Sequence, residues 1–359
     1  MMDNNFYTNG QQNSWQVPPN YNPNGFYNYG AYTNSEYFQK LEQKKNERKE
    51  IKTIGKNCGI GALCYILVAY GISFITTMLA TIIPSFNVIF QDKTAMFAFD
   101  AVTSIMALGL PFLIVFLILK NKKLVKLLPY ERPENPKKSG YLTLLSIPVM
   151  VFSSIIVNYI SAIFQAIFGV EFNGNIENTK ISGVLGILTV CISFAIVPAI
   201  IEEFVVRGVT MQSLRKYGDK FAIIVSAFFF SILHGNMLQI PYTFVGGLIL
   251  GYLAIKTKSL WPPMILHFVN NFYSAIVLIV SDNFSDKAGN YVAYAIWILF
   301  IIFGIVGFIG YRKNSDKSTL SKGESVLSNK EKITAFIKNG PMITMIVIFG
   351  IMALSSIAF

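Results

Sequence analysis

Charge is what this chain has least of. Only 14% of its 359 residues are Asp, Glu, Lys or Arg, against roughly 25% in a soluble domain, and 53% are hydrophobic. With a mean hydropathy of +0.49, these proportions exclude a water-soluble globule and predict a chain integral to a membrane. Cysteine is scarce too. Cys58, Cys64 and Cys191 are odd in number and lie in or beside apolar runs, which excludes a disulfide scaffold and leaves them as small hydrophobes. No apolar run sits near the start, so a secretory signal peptide is not expected. No long internal repeat is visible, which argues against a transporter built from two similar halves.

Long apolar runs are abundant. Crossing about 30 Å of hydrocarbon takes roughly 20 residues, and nine stretches are candidates: 57–83, 96–119, 140–168, 183–206, 221–239, 241–255, 260–280, 291–311 and 341–358. The fold class that follows is all-α, a polytopic transmembrane bundle of about eight or nine helices. The net charge of +11 invites a nucleic-acid reading, but the positions of the basic residues give topology instead. Alternate connections hold 27 of the 30 Lys and Arg: seven over 40–56, seven over 120–138, four over 207–220, two at Lys256 and Lys258, and seven over 312–338. The other connections hold only Lys93, Lys180 and Lys287. That asymmetry predicts a cytoplasmic N-terminus and no nucleic-acid partner.

The organisation expected along the chain is a disordered Asn/Tyr/Gln-rich cytoplasmic arm over 1–39, with nine Asn, then a basic juxtamembrane segment over 40–56. Residues 57–182 form N-terminal spans, 183–280 a core that carries chemistry, and 281–359 C-terminal helices with a basic cytoplasmic connection over 312–339.

An ionisable side chain in hydrocarbon costs at least ~2.5–3.5 kcal/mol, so each one needs a reason. Both histidines of the chain, His234 and His267, lie in apolar spans, as do Asp100, Glu202 and Glu203, with Arg207 one turn beyond the glutamates. At 1.5 Å per residue, Glu202, His234 and Asn271 each lie about 20 Å from a cytoplasmic anchor, Arg215, Lys220 and Lys258 respectively. His267 is one turn from Asn271 on the same helix face. Three helices therefore bring polar groups to one level, as a cavity open to the cytoplasmic side requires.

A carboxylate beside an imidazole can hold and deprotonate a water. A second imidazole with an amide at i+4 offers donors to the oxyanion of an attacked carbonyl. Glu203 and Arg207, also i and i+4, can pair on one face, either supporting such a site or acting as a structural ion pair. Pro198 leaves the carbonyl of Phe194 without its helical donor and is expected to kink the helix. Phe230 reads as cavity wall and Asp100 has no partner that the sequence identifies. Glycines at 246, 247, 251, 304, 307 and 310 suit close helix packing. Other intramembrane protease signatures are missing: there is no HExxH, and Gly218-Asp219 lacks both the earlier glycine and a second aspartate deep in a span.

The three spacings EExxxR (Glu202, Glu203, Arg207), FxxxH (Phe230, His234) and HxxxN (His267, Asn271), in order on successive spans, resemble the CPBP family. This is the CAAX protease and bacteriocin-processing (Abi) family, which includes the Rce1-type endopeptidases, and the resemblance covers about residues 183–280. It implies a helical bundle around a cytoplasm-facing intramembrane cavity and an intramembrane endopeptidase, labelled a metalloprotease in the family. By the same resemblance Glu202 and His234 activate water, His267 and Asn271 stabilise the oxyanion, and Glu203, Arg207 and Phe230 support them. A zinc ion, if the reaction uses one, would fall to Glu202, His234 and His267; a glutamate-activated water fits the same residues. The expected partner is a peptide or protein at the cytoplasmic face of the bilayer, with prenylated substrates among the candidates, and the expected location a bacterial plasma membrane. The alternative is a non-catalytic scaffold or bacteriocin-immunity protein of the same fold.

Overall fold

The computed structural model describes residues 36–83, 86, 92–126, 130–169, 171–172, 181, 183–314 and 319–358. Most of the expected N-terminal arm, residues 1–35, lies outside them. The described chain forms ten helices: α1 (Glu36–Ile82), α2 (Lys93–Asn121), α3 (Pro136–Phe168), α4 (Gly183–Tyr217), α5 (Asp219–Leu233), α6 (Gln239–Thr257), α7 (Trp261–Asn283), α8 (Asp286–Asn314), α9 (Asn329–Ile337) and α10 (Gly340–Ser355). Two-residue strands β1 (Glu171–Phe172) and β2 (Ile357–Ala358) pair antiparallel.

The helix starts follow from their caps. Asp92, Asn135 and Asn339 accept hydrogen bonds from the backbone of Thr94, Lys138 and Met342, and Ser328 with Glu331 forms a reciprocal capping box on α9.

Seven of these helices, α1 to α4 and α6 to α8, are long and apolar enough to cross a membrane, so the chain is a polytopic helical bundle. An eighth crossing is available if α9 and α10, bent by 81° at their junction, act together. Two of the nine expected runs are shorter than the composition suggests. The run at 221–239 is cut at 15 residues because Gly235 takes a left-handed conformation (φ 55°) and Asn236 Oδ1 accepts from the backbone of Leu238 and Gln239, opening the turn into α6. The run at 341–358 yields the 16-residue α10.

Residues 44–359 form one compact unit. Large apolar side chains such as Leu67, Phe74, Leu185 and Ile305 are exposed on it, the outer face expected against lipid. Inside lie two apolar clusters. One joins α1, α2, α4, α5, α9 and α10 through Ile54, Phe112, Val209, Phe229, Phe336 and Phe349. The other joins α3, α6, α7 and α8 through Ile147, Met150, Leu250, Leu266 and Phe300.

The glycines at 304, 307 and 310 let α8 lie against α3. A Cβ at Gly307 would sit 2.4 Å from the backbone nitrogen of Leu145. Gly307→Ala is therefore expected to destabilise the bundle by about 1–3 kcal/mol through overpacking, read as a lower melting temperature in detergent. A variant as stable as wild type would show that α3 and α8 separate freely.

Candidate active site

Helix α4 carries the two glutamates between π turns at Ile192–Ile196 and Phe204–Met211. Pro198 has no N–H to return to the preceding turn. The first π turn absorbs the fault, with the N–H of Val197 reaching five residues back to Ile192. Adjacent helical residues point about 100° apart, so the glutamates part company. The Glu202 side chain is 24% exposed and lines a cavity, whereas that of Glu203 is fully buried.

Glu203 is the centre of a buried network. Its Oε1 accepts from an Arg207 Nη1 at 2.6 Å and from His267 Nδ1 at 2.9 Å. Arg207, also fully buried, donates from Nη2 to the Gly247 carbonyl at 3.1 Å, and its guanidinium lies 4.7 Å from the centre of the Phe230 ring. One carboxylate thus ties together α4, α6 and α7, with α5 held through the cation–π contact. Among the described residues Glu203 Oε2 and Arg207 Nε have no hydrogen-bond partner.

Both imidazoles are oriented through Nδ1. Donation from His267 Nδ1 to Glu203 turns Nε2 toward the cavity, 3.7 Å from Glu202 Oε2. His234, at the end of α5, places Nδ1 2.9 Å from the carbonyl of Phe230. A carbonyl only accepts, so Nδ1 carries the proton and a neutral His234 presents a lone pair on Nε2. Phe230 stands edge-on to both rings, with centroids 4.8 Å from His234 and 6.2 Å from His267. It is a wedge between the histidines as well as a wall.

On α7, Asn271 Oδ1 accepts from Asn270 Nδ2 at 3.1 Å, and Asn270 in turn hydrogen-bonds the side chain of Tyr242. With its oxygen engaged, Asn271 keeps its amide N–H groups for the cavity.

Glu202, His234, His267 and Asn271 all line this cavity, of about 440 Å³, between the two apolar clusters. Phe230 lies on one side, Met150 and Leu250 on the other. Asp100, for which the sequence offers no partner, lines it from α2 and makes no hydrogen bond or ion pair among the described residues. The start of α2 is anchored by a buried Lys93–Asp282 pair at 3.2 Å, reaching from α2 to α7. A smaller chamber of about 230 Å³, lined by Tyr65, Leu108 and Val205, shares Glu202 and His234 as its wall. Gly246 lines the main cavity too, so it serves more than helix packing.

Asn270, Tyr242, Gln239 and Ser193 belong to the lining, and sequence reasoning does not single them out. The signal for Asn270 is a second amide beside Asn271 in an apolar span. Tyr242 and Gln239 sit at the end of a run, where polar residues look like ordinary interface.

The ligand set considered for a metal does not close. Among the described residues, no three His, Cys, Asp or Glu side chains are grouped to hold a metal ion. His267 Nδ1 donates to Glu203, which leaves Nε2 facing Glu202 and the cavity. No step below runs through a metal.

Residues 184–273, which contain Glu202, His234, His267 and Asn271, match the family model for Rce1-like proteins, the type II CAAX prenyl endopeptidases. No curated protein and no solved structure matches the chain. Over these residues the chain is similar to Rce1-like proteins, the same likeness that its three motifs carry.

Proposed function

We propose that this chain is an intramembrane endopeptidase that cleaves a peptide bond with a water activated by Glu202 and His234, using His267 and Asn271 as oxyanion donors. The observation that carries the reading is the convergence of these four side chains on one cavity inside a membrane-spanning bundle with an Rce1-like core.

A water between Glu202 and the free Nε2 of His234 gives up a proton to the carboxylate as its oxygen attacks the scissile carbonyl. The tetrahedral oxyanion accepts from the Asn271 amide and from His267 Nε2–H. Donation from both ring nitrogens makes His267 an imidazolium in this step, with the carboxylates of Glu203 and Glu202 beside its two nitrogens at 2.9 and 3.7 Å and Arg207 balancing the second glutamate. Glu202, Glu203, Arg207 and a protonated His267 sum to zero charge, the condition a low-dielectric site tolerates best. Collapse of the intermediate breaks the C–N bond, and the proton held by Glu202 passes to the leaving amine.

The substrate is a peptide or protein segment at the cytoplasmic face, of the prenylated CAAX type or a maturing peptide. The N-terminus is cytoplasmic, on the strength of the 27 to 3 distribution of basic residues, and the location is a bacterial plasma membrane. Asp100 adds a carboxylate to the substrate cavity and disfavours an acidic side chain beside it.

The test is cleavage of a quenched-fluorescent peptide library, prenylated CAAX peptides included, by detergent-purified protein with and without a chelator. Cleavage insensitive to chelation supports the glutamate-activated water, whereas its loss on chelation would overturn that mechanism. No cleavage by a folded protein would favour the non-catalytic scaffold. Asn271→Ala is expected to lower kcat by about 10²–10³-fold with little change in KM, because its donor acts on charge that develops only in the transition state. A change confined to KM would make Asn271 a substrate-binding residue instead.

A further inference from the structure

Two hollows meet at the catalytic pair. Glu202 and His234 line both the larger cavity, of about 440 Å³, and the smaller chamber, of about 230 Å³, and so stand as the partition between them. The oxyanion donors are not shared. His267 and Asn271 line the larger cavity alone, and Tyr65 of α1 and Leu108 of α2 line the smaller alone. In peptide hydrolysis the donors must meet the carbonyl oxygen while the water reaches the carbonyl carbon from the side of the base. A peptide held against His267 and Asn271 therefore has Glu202 and His234 before it, and the small chamber lies behind them.

The small chamber suits water. Leu108, Val206 and Leu233 make part of its wall, but the carboxylate of Glu202, the imidazole of His234, the amide of Gln239 and the phenol of Tyr65 line it too. A cavity holds water when it offers about two to four polar partners and roughly 10–15 Å³ of room, and this chamber provides both. Tyr65 is the group of the four with no task so far. Its ring is stacked on Phe349 of α10, with centroids 6.2 Å apart and planes 12° apart, which fixes the side chain. Glu202 is near enough for its charge to act on the phenol. The Tyr65 hydroxyl nevertheless makes no hydrogen bond among the described residues, where a buried tyrosine usually finds a partner. It lies about 13 Å along α1 from Lys56, inside the apolar part of the helix.

We propose that the small chamber holds the water that the reaction consumes, and that Tyr65, which lies outside the Rce1-like residues 184–273, is a positioning residue for it. The inference rests on the endopeptidase reading and deepens it. Tyr65 and Gln239 hold water against the partition while the peptide fills the larger cavity, so each turnover draws its nucleophile from behind the base and not past the substrate. One proton of that water passes to Glu202 and its oxygen bonds the carbonyl carbon; Tyr65 keeps its own proton throughout.

The first measurement reads water directly. In the full chain reconstituted in a bilayer, Tyr65→4-cyanophenylalanine puts a nitrile in the chamber, and Leu67→4-cyanophenylalanine puts one at similar depth on the exposed face of α1. The nitrile stretch at position 65 is expected close to its frequency in water and that at position 67 close to its frequency in hydrocarbon. A hydrocarbon-like band at position 65 would overturn the proposal whatever the protein cleaves. The second measurement is kinetic, on the best library peptide. Tyr65→Phe, which keeps the ring on Phe349 and removes one hydrogen bond to water, is expected to lower kcat about three- to tenfold with KM and melting temperature unchanged. Leu108→Phe, which fills the chamber, is expected to lower kcat about tenfold or more, again at constant KM. A raised KM or an altered side-chain preference in either variant would make the chamber a substrate pocket, and an unaltered kcat in both would remove it from the reaction. A wild type that cleaves no peptide removes the endopeptidase reading, and the band at position 65 still decides whether the chamber holds water.

Discussion

Glu202→Gln is expected to lower peptide cleavage by about 10³-fold or more while leaving the melting temperature close to that of wild type. The substitution keeps the shape of the side chain and its place on the cavity wall but removes the group that takes the proton from water, a contribution of ~10²–10⁴-fold by itself. Stability should not fall, because Glu202 is partly exposed and its nearest basic side chain, His267, has Nε2 3.7 Å away, beyond a hydrogen bond. Burst and steady-state rates on the best library peptide, with melting curves on the same samples, give both readouts. A Glu202→Gln protein that cleaves as fast as wild type would remove Glu202 from the mechanism. One that is inactive and also unfolds would assign the residue to the bundle rather than to the reaction.

The fold class is legible in the sequence because a helix crossing hydrocarbon must be apolar along its whole length, and that signal survives without knowledge of any neighbour. Boundaries are less so. The end of α5 depends on one left-handed glycine, Gly235, and on the Asn236 side chain that opens the next turn; a hydropathy count runs straight through both. The residues at the cavity are visible by their cost in hydrocarbon, but their division of labour is not. Glu202 and Glu203 are adjacent and chemically identical, and only the helix rotation, adjusted by π turns on either side, sends one to the cavity and the other to His267. Asp100 lies far along its helix from Lys120, the first cytoplasmic basic residue of its span, yet it lines the same cavity as Glu202. The Tyr242–Asn270–Asn271 chain is hidden for a related reason, since a hydrogen bond between α6 and α7 leaves no spacing in a sequence.

The buried Glu203–Arg207 pair separates a structural role from a functional one through a double substitution. Arg207→Met alone strands a fully buried carboxylate, and Glu203→Gln alone strands a buried guanidinium. Each is expected to cost about 3–5 kcal/mol. Together they remove both charges and keep an oxygen at position 203 for His267 Nδ1, so stability should return to within about 1 kcal/mol of wild type, with an interaction energy of at least ~5 kcal/mol across the cycle. Cleavage should not return. The carboxylate 2.9 Å from His267 Nδ1 is the counter-ion of the imidazolium that the proposed oxyanion step uses, and an amide at position 203 supplies no such charge. Denaturant unfolding and kcat on the four proteins of the cycle read the two effects apart. Recovery of activity in step with stability would reduce the pair to a strut between α4, α6 and α7; stability regained with kcat still depressed would make Glu203 the residue that positions and charges His267.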